Sequence, residues 1–220
     1  MKPISNFSIR TILGGYDNNL SYIITCNRSR EQVIIDAGIE FKLISKYILK
    51  EPTAILITHT HKDHILHLDQ YAKNYQNSFI IGHPISADKF LNTHYRVIRH
   101  NEIFKIGDLA FTAIHTPGHY VDSICYQLSP ALFTGDTMFV GRTGRVINAG
   151  SNVEELYDSV YNKILNLPSN IRIYPGHHYG EEMSITLSEN INISSLLQAE
   201  NFLDFSKRMD HYEKNRTPDN

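Results

Sequence analysis

A loose alternation of apolar and polar positions over residues 4–13 predicts a first strand, which Gly14, Gly15 and the polar stretch 17–19 then break. Residues 21–26 and 32–36 (S-Y-I-I-T-C and Q-V-I-I-D) read as a hairpin joined by the polar turn 27–31, and Asp36-Ala37-Gly38 ends its second strand. Over 41–50 the apolar positions fall at 41, 43, 44, 47, 48 and 49, the pattern of a helix with one buried face, closed by Pro52. A strand follows at 53–58, a helix at 67–76, a strand at 78–82 and a short helix at 86–92. Two further strands, 103–106 and 109–115, hinge at Gly107-Asp108, and a second hairpin spans 123–128 and 131–134.

Residues 151–167 keep a helical period at 153, 156, 157, 160, 164 and 167, with Ser151 and Glu154 spaced as a capping box. A strand at 171–174 and a last helix at 196–205 complete the pattern, and 210–220 reads as a polar, frayed tail. Strands come first and then mix with helices, with no repeat and no break between domains. The expectation is one layered α/β domain over residues 1–220, two mixed sheets covered by helices, with a short helical extension at about 185–210.

Composition narrows the function classes. A net charge of −2, with 21 basic and 23 acidic residues, leaves no cationic footprint for nucleic acid. No apolar run approaches the roughly 18 residues needed to span a bilayer. The N-terminal segment lacks the apolar core of a signal peptide, so a cytoplasmic setting is expected. Cys26 and Cys125 sit in apolar strand-like segments, match no C-x-x-C motif and read as buried free thiols.

The candidate chemistry concentrates in I-L-I-T-H-T-H-K-D-H, residues 55–64. Three apolar residues lead into His59, His61, Asp63 and His64, four ligand-type side chains within six positions. In an extended segment His59 and His61 share one face, whereas Asp63 and His64 fall on the turn beyond and point elsewhere. That spacing suggests two adjacent cation sites, and imidazole with carboxylate suits zinc or iron. Three later residues share one grammar: His119, Asp136 and His177 each follow an apolar strand in a Gly-containing turn.

These motifs, T-H-T-H-K-D-H at 58–64, T-P-G-H at 116–119, F-T-G-D-T at 133–137 and P-G-H-H-Y-G at 175–180, resemble the metallo-β-lactamase superfamily. The nearest branches are glyoxalase II (hydroxyacylglutathione hydrolase) and persulfide dioxygenase, and the likeness covers roughly residues 7–180. It implies a four-layer αββα sandwich with the site at one edge between two sheets. By analogy His59, His61 and His119 hold one metal, Asp63, His64 and His177 the second, and Asp136 bridges them. Two divalent ions are implied; zinc is expected first, and iron and manganese accept the same set.

The resemblance implies a metal-dependent hydrolase in which a metal-bound hydroxide, oriented by Asp63, attacks a thioester such as a hydroxyacylglutathione. Arg145, in the stretch Arg142-Thr143-Gly144-Arg145, falls where these branches keep a cation, and its guanidinium could pair with a glutathione carboxylate. Tyr179 matches a tyrosine lining the glutathione pocket. The partner expected is a small molecule, the chain being a monomer or homodimer. The chain also departs from the pattern. Ile65, Leu66 and His67 stand where Gly-Gly is usual, Thr143 replaces a cysteine, and only 43 residues follow His177. Two alternatives therefore stay open. One is a mononuclear-iron persulfide dioxygenase using His59, His119 and Asp136; the other is a hydrolase of another ester, lactone or phosphodiester. His115 and His67, His83, His94, His100, His178 and His211 read as structural, with His178 the foremost candidate to support a ligand from behind.

Overall fold

Each sheet is built from one consecutive half of the chain. The computed structural model describes residues 6–91 and 93–215. The starts of the expected first strand and the end of the expected helix 86–92 lie outside those residues, as do positions 216–220 of the expected tail. In the first sheet, β1 (Phe7–Gly14), β2 (Asn19–Cys26) and β3 (Gln32–Ile35) run antiparallel. They continue in parallel through β4 (Ala54–Leu56), β5 (Phe79–Gly82) and β6 (Tyr95–Val97), in the order β1-β2-β3-β4-β5-β6.

The second sheet uses β7 (Ile103–Ile106), β8 (Leu109–His115), β9 (Ile124–Leu128), β10 (Ala131–Gly135), β13 (Arg172–Pro175) and β14 (Ile185–Thr186), ordered β14-β13-β10-β9-β8-β7. Between β10 and β13, a small ribbon pairs β11 (Met138–Phe139) with β12 (Arg142–Thr143). Both sheets are mixed and helices cover both outer faces, as the αββα expectation requires.

Alternation explains the layers. In β2, Leu20, Tyr22 and Ile24 face the opposite sheet, meeting Phe111, Tyr126 and Phe133, while Ile23 joins the outer cluster. Both faces of β2 are buried, so its apolar run is nearly continuous rather than alternating. Outside the first sheet, Ile44 of α1 (Phe41–Ser45) and Leu68 and Tyr71 of α3 (Leu68–Asn74) cover Ile23, Ile34, Ile55 and Ile80. The short α2 (Lys62–Ile65) precedes α3. Outside the second sheet, Leu156 of α4 (Val153–Tyr157) and Phe205 and Met209 of α6 (Phe202–Asn215) cover Leu132 and Ile173. Cys26 lies between the sheets and Cys125 in the outer cluster, both unpaired.

Several elements differ from the sequence expectation. The helix expected over 41–50 ends at Ser45, because the buried Gln32 amide accepts from Leu49 N at 2.6 Å and donates to Tyr47 O at 3.2 Å. The cap of α4 is Asn152, whose side chain takes Glu154 N and Glu155 N at 2.9 and 3.0 Å; Ser151 instead accepts from Asn148 N. The helical pattern continues past α4 as a π-type stretch, Asp158–Ile164. A capping box at Thr186 and Glu189 opens α5 (Leu187–Ile193), inside the stretch at about 185–210 expected to be helical. The last helix begins at Phe202 and runs to Asn215, through positions expected to be frayed. No helix among the described residues is long and apolar enough to cross a membrane.

Candidate metal centre

Strand β4 ends at Leu56, and a non-helical stretch with a bend at Thr58 leads to His61, which caps α2 with an extended φ −63° and ψ 145°. The spacing sets the His59 and His61 rings together, centroids 4.7 Å apart, with His59 Nε2 3.0 Å from His61 Nδ1. The first turn of α2 carries Asp63 and His64 to the other side, where His64 Nε2 lies 3.5 Å from Asp63 Oδ2. Ile124 N donates to Thr58 O at 2.7 Å, so the two sheets are stitched together beside this turn.

The second sheet supplies the remaining groups from the ends of its strands. His119 follows β8, in a turn that needs glycine: Gly118 has φ 129°, and a Cβ there would lie 2.2 Å from Leu156 N. Parallel β10 and β13 align Gly135 with Pro175, so the residues just beyond them, Asp136 and His177, emerge side by side. Gly176 permits a close approach, since a Cβ on it would sit 2.3 Å from Asp136 Oδ1 and 2.7 Å from His64 Cε1.

All seven expected ligand residues converge. His59, His61, His119 and Asp136 form one group, and Asp63, His64 and His177 another; within each, one ligand atom per residue lies within 4.8 Å of the rest. Asp136 stands between them, Oδ2 being 3.5 Å from His119 Nε2 and 3.4 Å from His177 Nε2, while Oδ1 is 3.2 Å from His64 Nε2.

The donor atoms are prepared from behind. His119 Nδ1 donates to Arg145 O at 2.9 Å and His177 Nδ1 to Asp17 O at 2.7 Å, so the Nε2 of each is turned toward the centre. Ring nitrogens then crowd together, His119 Nε2 standing 3.0 Å from His61 Nδ1, and Asp136 Oδ1 is buried without a hydrogen bond. Converging ring nitrogens and an orphaned carboxylate oxygen fit cations, which imidazole and carboxylate ligands hold.

Electrostatics point the same way. Burial, with the neighbouring imidazoles, lowers His59 and His119 and brings His61 down to about 4. Burial also disfavours charge on His64 and His177, yet Asp136 and its fellow carboxylates outweigh it, raising His64 well above the usual range and His177 to about 9. Asp136 is held well below the carboxylate range and Asp63 at about 2, burial being overcome by His177 and His64. The two carboxylates thus demand positive charge inside the site.

The other expected site residues line an adjoining cavity of about 180 Å³. Arg145 is in its wall, but Nε and Nη2 both donate to Glu213 Oε2 at 2.9 Å. Tyr179 stacks on His177, centroids 4.9 Å apart and planes 1° from parallel, and donates its hydroxyl to Asp17 Oδ2. Away from the centre, His115 stacks on His83 at 4.1 Å and His115 N donates to His100 Nδ1. His178 is not among the converging side chains; its backbone N donates to Asn18 O.

The sequence pattern missed the supporting acids. Asp36 is buried and lies 2.8 Å from His64 Nδ1. Asp122 is buried and accepts from Thr60 N at 3.2 Å, Thr60 Oγ1 at 2.5 Å and Ser86 Oγ. Asn19 Nδ2 donates to Asp63 Oδ2 at 3.3 Å. Asp36 did carry a signal: it follows an apolar strand in a turn, as Asp136 does, and has a positive φ of 59°.

The chain is 29% identical over 199 residues to a probable polyketide biosynthesis zinc-dependent hydrolase, BaeB, of Bacillus velezensis, covering 87% of this chain and 88% of that one. It is 32% identical over 178 residues to a probable hydroxyacylglutathione hydrolase, glo2, of Schizosaccharomyces pombe, covering 75% of this chain and 66% of the relative. Among solved structures, ETHE1 from Myxococcus xanthus superposes with a TM-score of 0.82 at 25% identity, covering 96% of this chain and 92% of that one. The family profile of the metallo-beta-lactamase superfamily matches residues 14–177, and the chain belongs to that superfamily.

Proposed function

We propose that this chain is a metal-dependent hydrolase that cleaves small-molecule thioesters at a pair of divalent cations. The convergence of seven ligand-type residues into two groups that share Asp136 carries the reading. His59, His61 and His119 would hold one ion and Asp63, His64 and His177 the other, with Asp136 between them. Zinc is the first expectation, supported by the relative named as zinc-dependent, although iron and manganese suit the same ligands. Cations seated there would bring the pKa of a shared water from about 15.7 toward about 7 and polarise the acyl carbonyl.

The chain's own groups orient and accept. Asp63, its side chain 26% exposed and held by Asn19, is placed to orient the attacking water and take its proton. The oxygen of that water adds to the acyl carbon, the C–S bond breaks, and a carboxylic acid and a thiol leave. A thiolate, with a pKa near about 8.5, needs little help from an acid on departure. The likeness to hydroxyacylglutathione hydrolases supports a thioester, with Arg145 and Tyr179 in the wall beside the thiol. The two unpaired, buried cysteines agree with a reducing, cytoplasmic setting.

A second reading, dioxygenation of a persulfide at one iron held by His59, His119 and Asp136, is favoured by the whole-chain likeness to ETHE1. One experiment separates the two. Bound metal per chain is measured by plasma mass spectrometry, and the same sample is assayed on lactoylglutathione, an acyl-N-acetylcysteamine, a lactone, an aryl ester and, with an oxygen electrode, glutathione persulfide. Two ions and thioester cleavage without oxygen uptake are expected. One iron with oxygen uptake, or turnover of oxygen esters alone, overturns the proposal.

A further inference from the structure

The cavity beside the metal centre carries two guanidinium groups, and both already have partners within the chain. Arg145 spends Nε and Nη2 on Glu213 Oε2. Arg142 lies 4.3 Å above the Tyr179 ring, donates from Nη1 to Tyr212 Oη at 2.8 Å and from Nη2 to Tyr179 O at 3.3 Å. The Tyr179 hydroxyl is given to Asp17 Oδ2. Two fixed positive charges in this wall are therefore matched by two negative ones, Asp17 and Glu213.

We infer that the thiol side of this cavity is built for an uncharged, amide-bearing thiol, with Asp17 and Glu213 turning away thiols that carry carboxylates. The inference rests on the thioester reading and names the class of thiol.

The energetics favour it. A carboxylate entering this wall meets an Arg145 whose Nε and Nη2 are already paired with Glu213 and a Tyr179 hydroxyl already given to Asp17, so it sits beside two acids and finds no uncompensated positive charge. Taking either donor from its acid would give up a charge-assisted hydrogen bond for an equivalent one and strand that acid. Glu213 is poorly placed to lose its partner: its side chain is 14% exposed, and Oε1 is buried with no hydrogen bond among the described residues. An amide, in contrast, can accept from a guanidinium and pack on Tyr179 and Tyr212 without bringing charge. The wall is also firmly built. Tyr212 and Glu213 belong to α6, which Phe205 and Met209 anchor in the outer core, and Thr143 Oγ1 donates to Met209 Sδ at 3.5 Å.

The test reads binding, not turnover. Calorimetry on the metal-loaded protein compares S-hexylglutathione with the S-hexyl thioether of N-acetylcysteamine, for the native chain, Glu213→Gln and Asp17→Asn. The neutral thioether should bind roughly fivefold more tightly, and each variant should narrow that ratio by improving the glutathione compound, again by roughly fivefold. Asp17→Asn serves independently should Glu213→Gln fold poorly. Tighter binding of S-hexylglutathione to the native chain, no binding of the neutral thioether, or an unchanged ratio in both variants overturns the inference. Turnover of thioesters alongside a failed binding test would sink this inference alone; a clear neutral preference without any thioester turnover would sink only the hydrolase reading.

Discussion

Asp36 Oδ2 lies 2.8 Å from His64 Nδ1, and the same carboxylate takes Thr58 N at 2.8 Å and Thr58 Oγ1 at 2.7 Å. One buried acid at the end of β3 thus fixes both the exit of β4 and the ring of a ligand on α2. Replacing it frees His64 to turn and leaves the Thr58 amide unsatisfied. Asp36→Ala should weaken metal binding by about 10–100-fold, read by chelator competition. Native affinity in that variant would leave Asp36 with a purely structural role.

Asp136 is the group common to both halves of the centre. Asp136→Ala should lower the metal content and abolish turnover, measured on one preparation by mass spectrometry and thioester assay. Unimpaired turnover would remove its bridging role.

Gly176 has no room for a side chain. Gly176→Ala would drive a methyl into Asp136 Oδ1 and His64, 2.3 and 2.7 Å away. The strain should cost roughly 1–3 kcal/mol in urea unfolding and should also reduce metal occupancy. An unchanged unfolding midpoint with full occupancy would show that the backbone there can yield.

Asp122 binds Thr60 and Ser86 in the interior, one residue from both His59 and His61. Asp122→Ala should destabilise the fold by roughly 2–3 kcal/mol by leaving these donors unpaired. Denaturant titration checks this, and a loss below about 0.5 kcal/mol would refute it.

Bound cations should stabilise the native state. With free ion a thousandfold above Kd the gain is about 4 kcal/mol. Stripping the ions should therefore lower Tm by roughly 8–16 °C for a chain of this length. Calorimetry before and after chelation, with zinc restored, reads the shift; identical melting curves would argue against a structural contribution from the ions.

How legible this was in the sequence depended on how local each signal is. The ligands stood out because four fall within six positions after an apolar strand and the other three each follow an apolar strand in a glycine turn, and strand ends are marked locally by composition. The paired sheets were legible because alternation and buried runs repeat over five to eight residues. β6, β11, β12 and β14 are two or three residues long, too short to show a period. Helix α1 stopped early because of Gln32, which is distant in sequence and invisible to a window over 41–50. The pairing of Arg145 with Glu213 was hidden for the same reason: it joins positions 68 residues apart. Glu213, moreover, fell in a segment whose polarity read as a tail, although α6 turns Phe205, Met209 and the partly buried Tyr212 inward.

The first sheet uses residues 7–97 and the second 103–186, so His59, His61, Asp63 and His64 come from one half of the chain and His119, Asp136 and His177 from the other. Neither half owns a complete cage. Any ion seated at this seam is therefore a rivet as well as a reagent: its departure would loosen the joint between two slabs that each keep their own ladder intact, and starvation for metal would be felt as mechanical slack before it was felt as unfolding.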